Sequence, residues 1–318
     1  MVSGEKILIT GITGMVATPL AHFLAQDNEV WGIARFADPA ARVPYEAAGI
    51  TTRAIDIGSG DFSELPTDFT VVLHLAWMRA DLSQLQQAIR TNVEGPGLLF
   101  QHCRKARKTL VMSGMGIYSP HADPWHLFHE DDPIGRASTA YAPTSPSSKA
   151  GIEAVARFCA RAFDMPIVIT RLNTYNGTPL TMPAQVIRAV RDGKTIYAPT
   201  DPNPQSPVHI EDMKWQLEAL LDAASTPAFI VNWSGDETMA MQDWARMAGD
   251  YYGKEVSFGV TPAPGAPLGN ASDPTLRKTI TGPSRTVFRD EFLKLCQEIT
   301  PSSTDEPQGK WAAIDKVN

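Results

Sequence analysis

Cysteine is scarce in this sequence, and it has neither an excess of basic residues nor a long apolar run. The three cysteines (Cys103, Cys159 and Cys296) are far apart and odd in number, so we expect reduced thiols and no disulfide framework or metal site. The formal net charge of −7 argues against a nucleic-acid partner, because that binding needs a basic face. No apolar run approaches the ~20 residues that cross a bilayer, which argues against a membrane partner. Residues 1–6 lead straight into an apolar segment, so we expect no signal peptide and a cytoplasmic location.

Apolar runs alternate with helical patterns over the first half of the chain. Six of them predict strands, at residues 6–10, 29–34, 52–57, 71–76, 109–113 and 166–171. This alternation predicts an α/β fold with a Rossmann-type, doubly wound parallel sheet. We therefore predict a dinucleotide-binding domain over residues 1–172, its sheet completed by about residues 205–235. Proline-rich stretches favour a smaller C-terminal substrate lobe, built from residues 173–204 and 236–318.

A glycine-rich turn follows the first strand, with the sequence Thr10-Gly11-Ile12-Thr13-Gly14-Met15-Val16-Ala17. Gly11 permits a tight turn, Gly14 lets the backbone approach a pyrophosphate, and Ala17 keeps helix and strand close. An ordinary strand-to-helix turn can also contain glycines. The position directly after a strand and before a helix favours the cofactor interpretation.

The end of the second strand bears on which dinucleotide binds. NAD sites commonly have Asp or Glu there to accept from the ribose 2′-hydroxyl, whereas this strand ends Ile33-Ala34-Arg35. Arg35 could pair with a 2′-phosphate, or it could be a solvated surface residue. We therefore predict NADP as cofactor, with NAD as the alternative.

Several blocks, in the right order, resemble the extended short-chain dehydrogenase/reductase family, the NAD(P)-dependent epimerase/dehydratase group. They are residues 10–17, 56–57, 74–77, 92–95, 111–118, 148–149, 171–177 and 208–212. The resemblance implies that Asp56 and Ile57 flank the adenine and that Ala76, in a block with Leu75 and Trp77, lies along the central ribose and phosphates. It further implies roles for four more residues: a sheet brace (Asn92), a ribose ligand (Lys149) and the lining of the nicotinamide pocket (Leu172 and Asn173).

The residues that usually handle the proton in this family are missing or displaced. The family has a tyrosine four residues before the lysine, on the same helix face, but here Ser145 precedes Lys149 by four. Gly114 stands where the family has a second hydroxyl, with Ser113 beside it. We consider Tyr141 the preferred substitute for the missing phenol. The other candidates are Ser145 acting through water, Ser113, Tyr118 and the histidines at 121, 126 and 129.

The main functional prediction is an atypical NADP(H)-dependent oxidoreductase acting on a small, moderately hydrophobic carbonyl, alcohol or enone. The candidates for the lining of the substrate pocket are mostly apolar or aromatic and favour it. They are Trp77, Met78, Trp125, Tyr175, Met182 and Trp233. One alternative is a sugar-nucleotide epimerase or dehydratase, for which Arg188, Arg191 and Arg277 could anchor a diphosphate. Another is a dinucleotide-binding sensor or assembly protein without turnover. The resemblance also implies a homodimer, formed by the helices of residues 82–103 and 149–162.

Overall fold

The computed structural model describes residues 2–138, 142–262 and 265–299. In chain order its strands are β1 (Lys6–Thr10), β2 (Glu29–Ala34), β3 (Thr51–Ala54), β4 (Val71–His74), β5 (Lys108–Gly114), β6 (Ile167–Leu172), β7 (Tyr175–Asn176), β8 (Ile196–Ala198), β9 (Pro204–Gln205), β10 (Val208–His209), β11 (Phe229–Trp233), β12 (Met239–Ala240) and β13 (Phe258–Val260). Its α-helices are α1 (Ala17–Leu24), α2 (Val43–Ala47), α3 (Leu85–Ile89), α4 (Gly95–His102), α5 (Ser145–Phe163), α6 (Met182–Arg191), α7 (Ile210–Asp222), α8 (Met241–Tyr252), α9 (Thr275–Thr281) and α10 (Phe288–Glu298).

Seven strands form the main sheet, in the order β11-β6-β5-β4-β1-β2-β3. The pairs β1–β2, β1–β4, β2–β3 and β4–β5 are all parallel. Strands buried on both faces need continuous apolar runs, and β1 and β4 have them. The predicted Rossmann-type α/β fold is confirmed. The seventh strand, β11, lies within the region predicted to complete the sheet.

Two predicted strands are too long, and the structure shows why. The predicted strand 52–57 ends at Ala54, because the Asp56 side chain accepts from the Gly58 amide and starts a 3₁₀ turn at Ile57–Ser59. The predicted strand 71–76 ends at His74. The next two amides, of Leu75 and Ala76, donate to the Thr10 hydroxyl instead of a neighbouring strand.

The predicted helical stretch 82–103 is broken into short pieces. A 3₁₀ turn at Leu82–Gln84 precedes α3, and a π-helical turn at Arg90–Glu94 separates α3 from α4. Pro96 lies in the first turn of α4 and has no N–H to donate to the preceding turn, which accounts for the change of winding. The run Gly95-Pro96-Gly97 at the start of α4 therefore coincides with the interruption of the stretch.

The described residues divide into two compact units. The first contains the residues up to Gly114 together with Thr144–Arg171 and Lys214–Val231. The second contains the described residues of 115–143, 172–213 and 232–318. Segment 115–143 thus groups with the second unit, whereas the sequence-based division places it in the dinucleotide-binding domain. The exact domain boundaries stay a prediction.

Each unit has its own apolar core. In the first, side chains of the sheet pack with Leu99 and Phe100 of α4 and with Ile152 and Ala156 of α5. In the second, the core is formed by residues of α6, α8 and α10, including Trp244 and Phe292. Among the described residues, no helix has the length and apolar character needed to cross a membrane. All three cysteines are buried free thiols.

Candidate active site

The main sheet reverses its strand order between β1 and β4. From β1 the chain moves outward through β2 and β3, then returns to build β4, β5 and β6 on the other side. Ligands of open parallel sheets bind beyond the carboxyl ends of the strands at such a reversal. Gly11 lies directly after β1 with φ of 65°, and a Cβ there would be 2.6 Å from the Ala76 Cα. Glycine is therefore needed for both the turn and the close approach of the two segments.

The turn after Gly11 leads into the open end of α1. The Gly14 amide donates to the Gly11 carbonyl at 2.8 Å, and Thr13 and Gly14 are exposed. Val16, half-buried like Met15, stands at the N-cap without a side-chain cap, and no acidic residue lies in the first turn of α1. A helix N-terminus of this kind attracts an anion through its amides. The residues present therefore fit the diphosphate of a dinucleotide.

The Thr10 hydroxyl fixes the ends of β1 and β4. It accepts from the amides of Leu75 and Ala76, at 3.1 and 3.0 Å, and lies 2.9 Å from His74 Nδ1. Since two donors occupy its lone pairs, its own proton must be donated to His74 Nδ1. Burial, and secondarily the Lys149 charge, lower the pKa of His74 to about 3. The imidazole is therefore neutral and structural.

Three further residues predicted to contact cofactor lie just after strands of the first unit. Asp56 is exposed, and Ile57 beside it is buried. Asn92 is buried in the π-helical turn and binds the Met78 backbone twice, through Nδ2 to the carbonyl and from the amide to Oδ1, each at 2.8 Å. Asn92 thus braces the segment that follows β4.

Arg35, the residue predicted to select the dinucleotide, is exposed directly after β2, next to half-buried Ala34.

Lys149 lies in the first turns of α5 and turns its ammonium inward. Nζ donates to the Met112 carbonyl at 3.0 Å and lies 3.7 Å from the centroid of the Trp77 ring. Burial lowers the pKa of Lys149 to about 7, the Glu153 carboxylate opposes this, and the Arg79 charge adds to it. Glu153 is itself held by Arg171 in a buried two-point ion pair. Lys149 can therefore exchange a proton near neutrality.

Ser145 opens α5, and its hydroxyl accepts from Trp77 Nε1 at 3.1 Å. Ser145, Trp77 and Lys149 thus lie together, a grouping that no local sequence pattern predicts. The Ser113 hydroxyl is buried and has no hydrogen-bond partner among the described residues. Tyr141, the preferred substitute for the missing tyrosine, lies outside the described residues.

Tyr118 is not a free proton donor. Its ring is fully buried and stacks on Phe128, and its hydroxyl donates to Asn232 Oδ1 at 2.7 Å. Within the second unit Tyr118 is thus engaged in packing and in this hydrogen bond, and its catalytic role stays a prediction. Asn173, also in that unit, is buried: its Nδ2 donates to the Asn270 carbonyl at 2.7 Å, and Oδ1 accepts the Thr174 amide at 2.6 Å. Leu172 is half-buried at the end of β6.

The histidines of segment 115–143 contact other side chains of the second unit. The rings of His121 and His126 stack 4.0 Å apart, and His126 Nε2 lies 2.8 Å from Asp132 Oδ2. In the part of the chain that the structure describes, no three acidic, histidine or cysteine side chains are grouped to hold a metal ion. Arg277, one candidate anchor for a diphosphate, is fully buried and paired with Asp236.

The model of the NAD dependent epimerase/dehydratase family matches residues 7–225, which is more than half of the sequence. The chain belongs to this family. The predicted resemblance is therefore confirmed. No protein of curated function is significantly similar to it in sequence.

The similarity to solved structures extends over nearly the whole of this chain. UDP-glucuronic acid 4-epimerase from Bacillus cereus, in complex with UDP-glucuronic acid and NAD, is 22% identical with a TM-score of 0.77, over 92% of this chain and 99% of that one. The Bordetella bronchiseptica enzyme WbmG, in complex with NAD and UDP, is 22% identical with a TM-score of 0.77, over 93% and 95%. The NAD dependent NDP-hexosamine 5,6-dehydratase TunA is 21% identical with a TM-score of 0.75, over 92% and 97%.

Family membership overturns the main functional prediction. The expectation of a reductase or dehydrogenase for a small hydrophobic carbonyl, alcohol or enone is wrong, since the family and these structures point to the sugar-nucleotide alternative. NADP as primary cofactor also lacks support, because the three solved proteins are described with NAD. The exposed Arg35 directly after β2 does not by itself decide between the two dinucleotides.

Proposed function

We propose that the chain is an NAD-dependent enzyme that acts on a nucleotide-activated sugar, in the manner of an epimerase or dehydratase. The observation that carries the proposal is the inward-turned Lys149 ammonium beside Ser145 in the unit that has the glycine turn. The family supports the reaction class, and the relatives that bind UDP-sugars support the substrate class. Bound NAD would supply reversible hydride acceptance at its nicotinamide ring.

The chain's own residues provide the remaining steps. The amides at the start of α1 would hold the diphosphate of NAD, and Gly11 would let it approach the backbone. Lys149 keeps one N–H on the Met112 carbonyl, and its ammonium would hold the nicotinamide ribose when NAD is bound. Ser145 passes a proton between a substrate oxygen and Lys149, whose pKa of about 7 suits either direction.

The test is to incubate the purified chain with NAD and a panel of UDP-hexoses and UDP-hexuronic acids, and to analyse the sugar products by NMR. We expect an epimer or a dehydrated sugar. Lys149→Met, which keeps the length of the side chain, should lower turnover on the order of 10²-fold or more. Lys105→Met, at an exposed position of the same unit, is the matched control and should retain full turnover.

A second candidate is cofactor binding without turnover, and Ser145 in place of tyrosine favours it. In that case NAD binds and fluorescence titration gives a saturable affinity, but none of the UDP-sugars changes. Titration with NADPH in parallel tests Arg35, whose replacement by Leu should leave NAD affinity unchanged. Failure to bind either dinucleotide would refute both candidates.

The homodimer and cytoplasmic location are parts of this proposal. Leu98 of α4 and Phe158 of α5 are exposed apolar residues, 48% and 65% accessible, on helices that pack together. A second copy of the chain would cover them, and light scattering of wild type against Phe158→Glu tests this. The buried, unpaired thiols suit a reducing compartment.

A further inference from the structure

Trp77 connects the two residues that the proposed reaction needs. It follows Ala76 after β4, and its side chain is half-buried. Its indole N–H donates to Ser145 Oγ at 3.1 Å, and its ring faces Lys149 Nζ at 3.7 Å from the centroid. All three residues belong to the first unit.

These two contacts have different chemical consequences. An indole nitrogen can only donate, so the Ser145 oxygen is the acceptor and its own proton is directed elsewhere. An aromatic face attracts an ammonium and also keeps water from it. Trp77 therefore sets both the direction of the Ser145 proton and the environment of the Lys149 charge.

We infer that Trp77 is a positioning residue, which holds the Ser145 hydroxyl and the Lys149 ammonium side by side. Related proteins have a tyrosine at the position of Ser145, and here the ring beside the lysine comes from Trp77 instead. The inference rests on the proposed function, because it assigns the proton transfer to this pair. The sequence block that contains Trp77 does not by itself assign this role to it.

The charges around Lys149 determine what removal of the indole should do. Glu153 lies one turn further along α5 and is paired with Arg171 of β6, Arg79 follows β4, and neutral His74 ends β4. Trp77→Ala would admit water to the ammonium and raise the pKa of Lys149 toward its ordinary value. Trp77→Phe would keep a ring over the ammonium and remove only the N–H donor.

The direct test is an NMR spectrum of the chain labelled with ¹⁵N in its seven tryptophan indoles. Loss of one signal in Trp77→Phe assigns Trp77. We expect Ser145→Ala to move that signal and Lys149→Met to abolish its titration near pH 7. A Trp77 signal that is indifferent to both substitutions would overturn the inference.

Turnover gives a second and separable measure. Trp77→Phe should lower kcat about tenfold with little change in KM, and Trp77→Ala should also move the pH profile to higher pH. Trp31→Phe is a matched control, since Trp31 also donates to an oxygen (Glu29 Oε1, 2.8 Å) and lies under a cation (Arg53, 4.9 Å). A kcat equal to wild type in Trp77→Phe contradicts the inference. If wild type turns over no UDP-sugar, the proposed function fails, and the NMR result decides on Trp77 alone.

Discussion

At the scale of single residues, local sequence predicts Lys149 and the glycine turn as site residues, and it predicts Trp77 only as a cofactor contact in the block that follows β4. The turn and the lysine are recognised from short spacings and their context. The Trp77–Ser145 bond joins residues 68 positions apart, so no local pattern contains it. Tyr118 shows the converse: its place in the sequence indicates a candidate phenol, and only the structure shows that its ring packs against Phe128.

Gly11 gives the first residue-scale prediction. Gly11→Ala should abolish detectable NAD binding and destabilise the fold, because its Cβ would lie 2.6 Å from the Ala76 Cα at a φ of 65°. Gly4 provides a matched control, with φ of 69° and no atom within 4 Å of an added Cβ. Gly4→Ala should cost only the backbone strain, about 1 kcal/mol, and leave NAD affinity intact.

Urea unfolding and titration of NADH fluorescence measure the two effects separately. Equal losses of stability in Gly11→Ala and Gly4→Ala would show that the approach of Ala76 does not constrain the turn. Unchanged affinity in Gly11→Ala would remove the turn from the cofactor site.

At the scale of elements, the sequence predicts the strands of the central sheet well, because each is a compact apolar run. It overextends two of them, since side-chain bonds of Asp56 and Thr10 capture the next amides. The two-residue strands of the second unit, such as β9 and β12, have no sequence pattern at all. Their pairing depends on tertiary contacts that periodicity does not encode.

A buried ion pair fixes α5 against β6. Arg171 Nε and Nη2 donate to the two oxygens of Glu153, at 3.0 and 2.8 Å, and both side chains are 4% exposed. Glu153→Met or Arg171→Met alone should destabilise the chain by about 3–5 kcal/mol, because each leaves a buried charge uncompensated.

The double variant Glu153→Met/Arg171→Met supplies the control for that prediction. It should recover most of the lost stability, since two buried charges are then replaced by apolar groups of similar length. Urea denaturation of the four proteins completes the cycle. Additive losses in the double variant would mean that the two residues do not act as a pair.

At the scale of the whole molecule, the fold and the family are predicted correctly from the sequence, and the substrate class is not. The order of motif blocks depends on the backbone framework, which the family shares. Substrate preference depends instead on the chemistry of a particular site and not on the framework, and aromatic composition alone does not distinguish packing from recognition. Trp233, for example, is fully buried and was a candidate for the pocket lining.

Lys149 also makes the stability of the whole chain depend on pH in an uncommon range. Burial lowers its pKa from 10.5 to about 7, so between these values the unfolded chain binds a proton that the folded chain does not. The free energy of unfolding should therefore rise with pH above about 7, relative to Lys149→Met, which has no such group.

Urea denaturation measures this free energy and should be carried out below pH 9.0. Above that pH the buried Cys103 thiol, whose pKa is raised from 9.0 to about 12, changes the stability in the opposite direction. Lys105→Met, which removes an exposed lysine, should follow wild type throughout. Parallel curves for wild type and Lys149→Met would show that the ammonium is solvated in the folded chain, and Lys149 would then lose its assignment as a proton acceptor near neutrality.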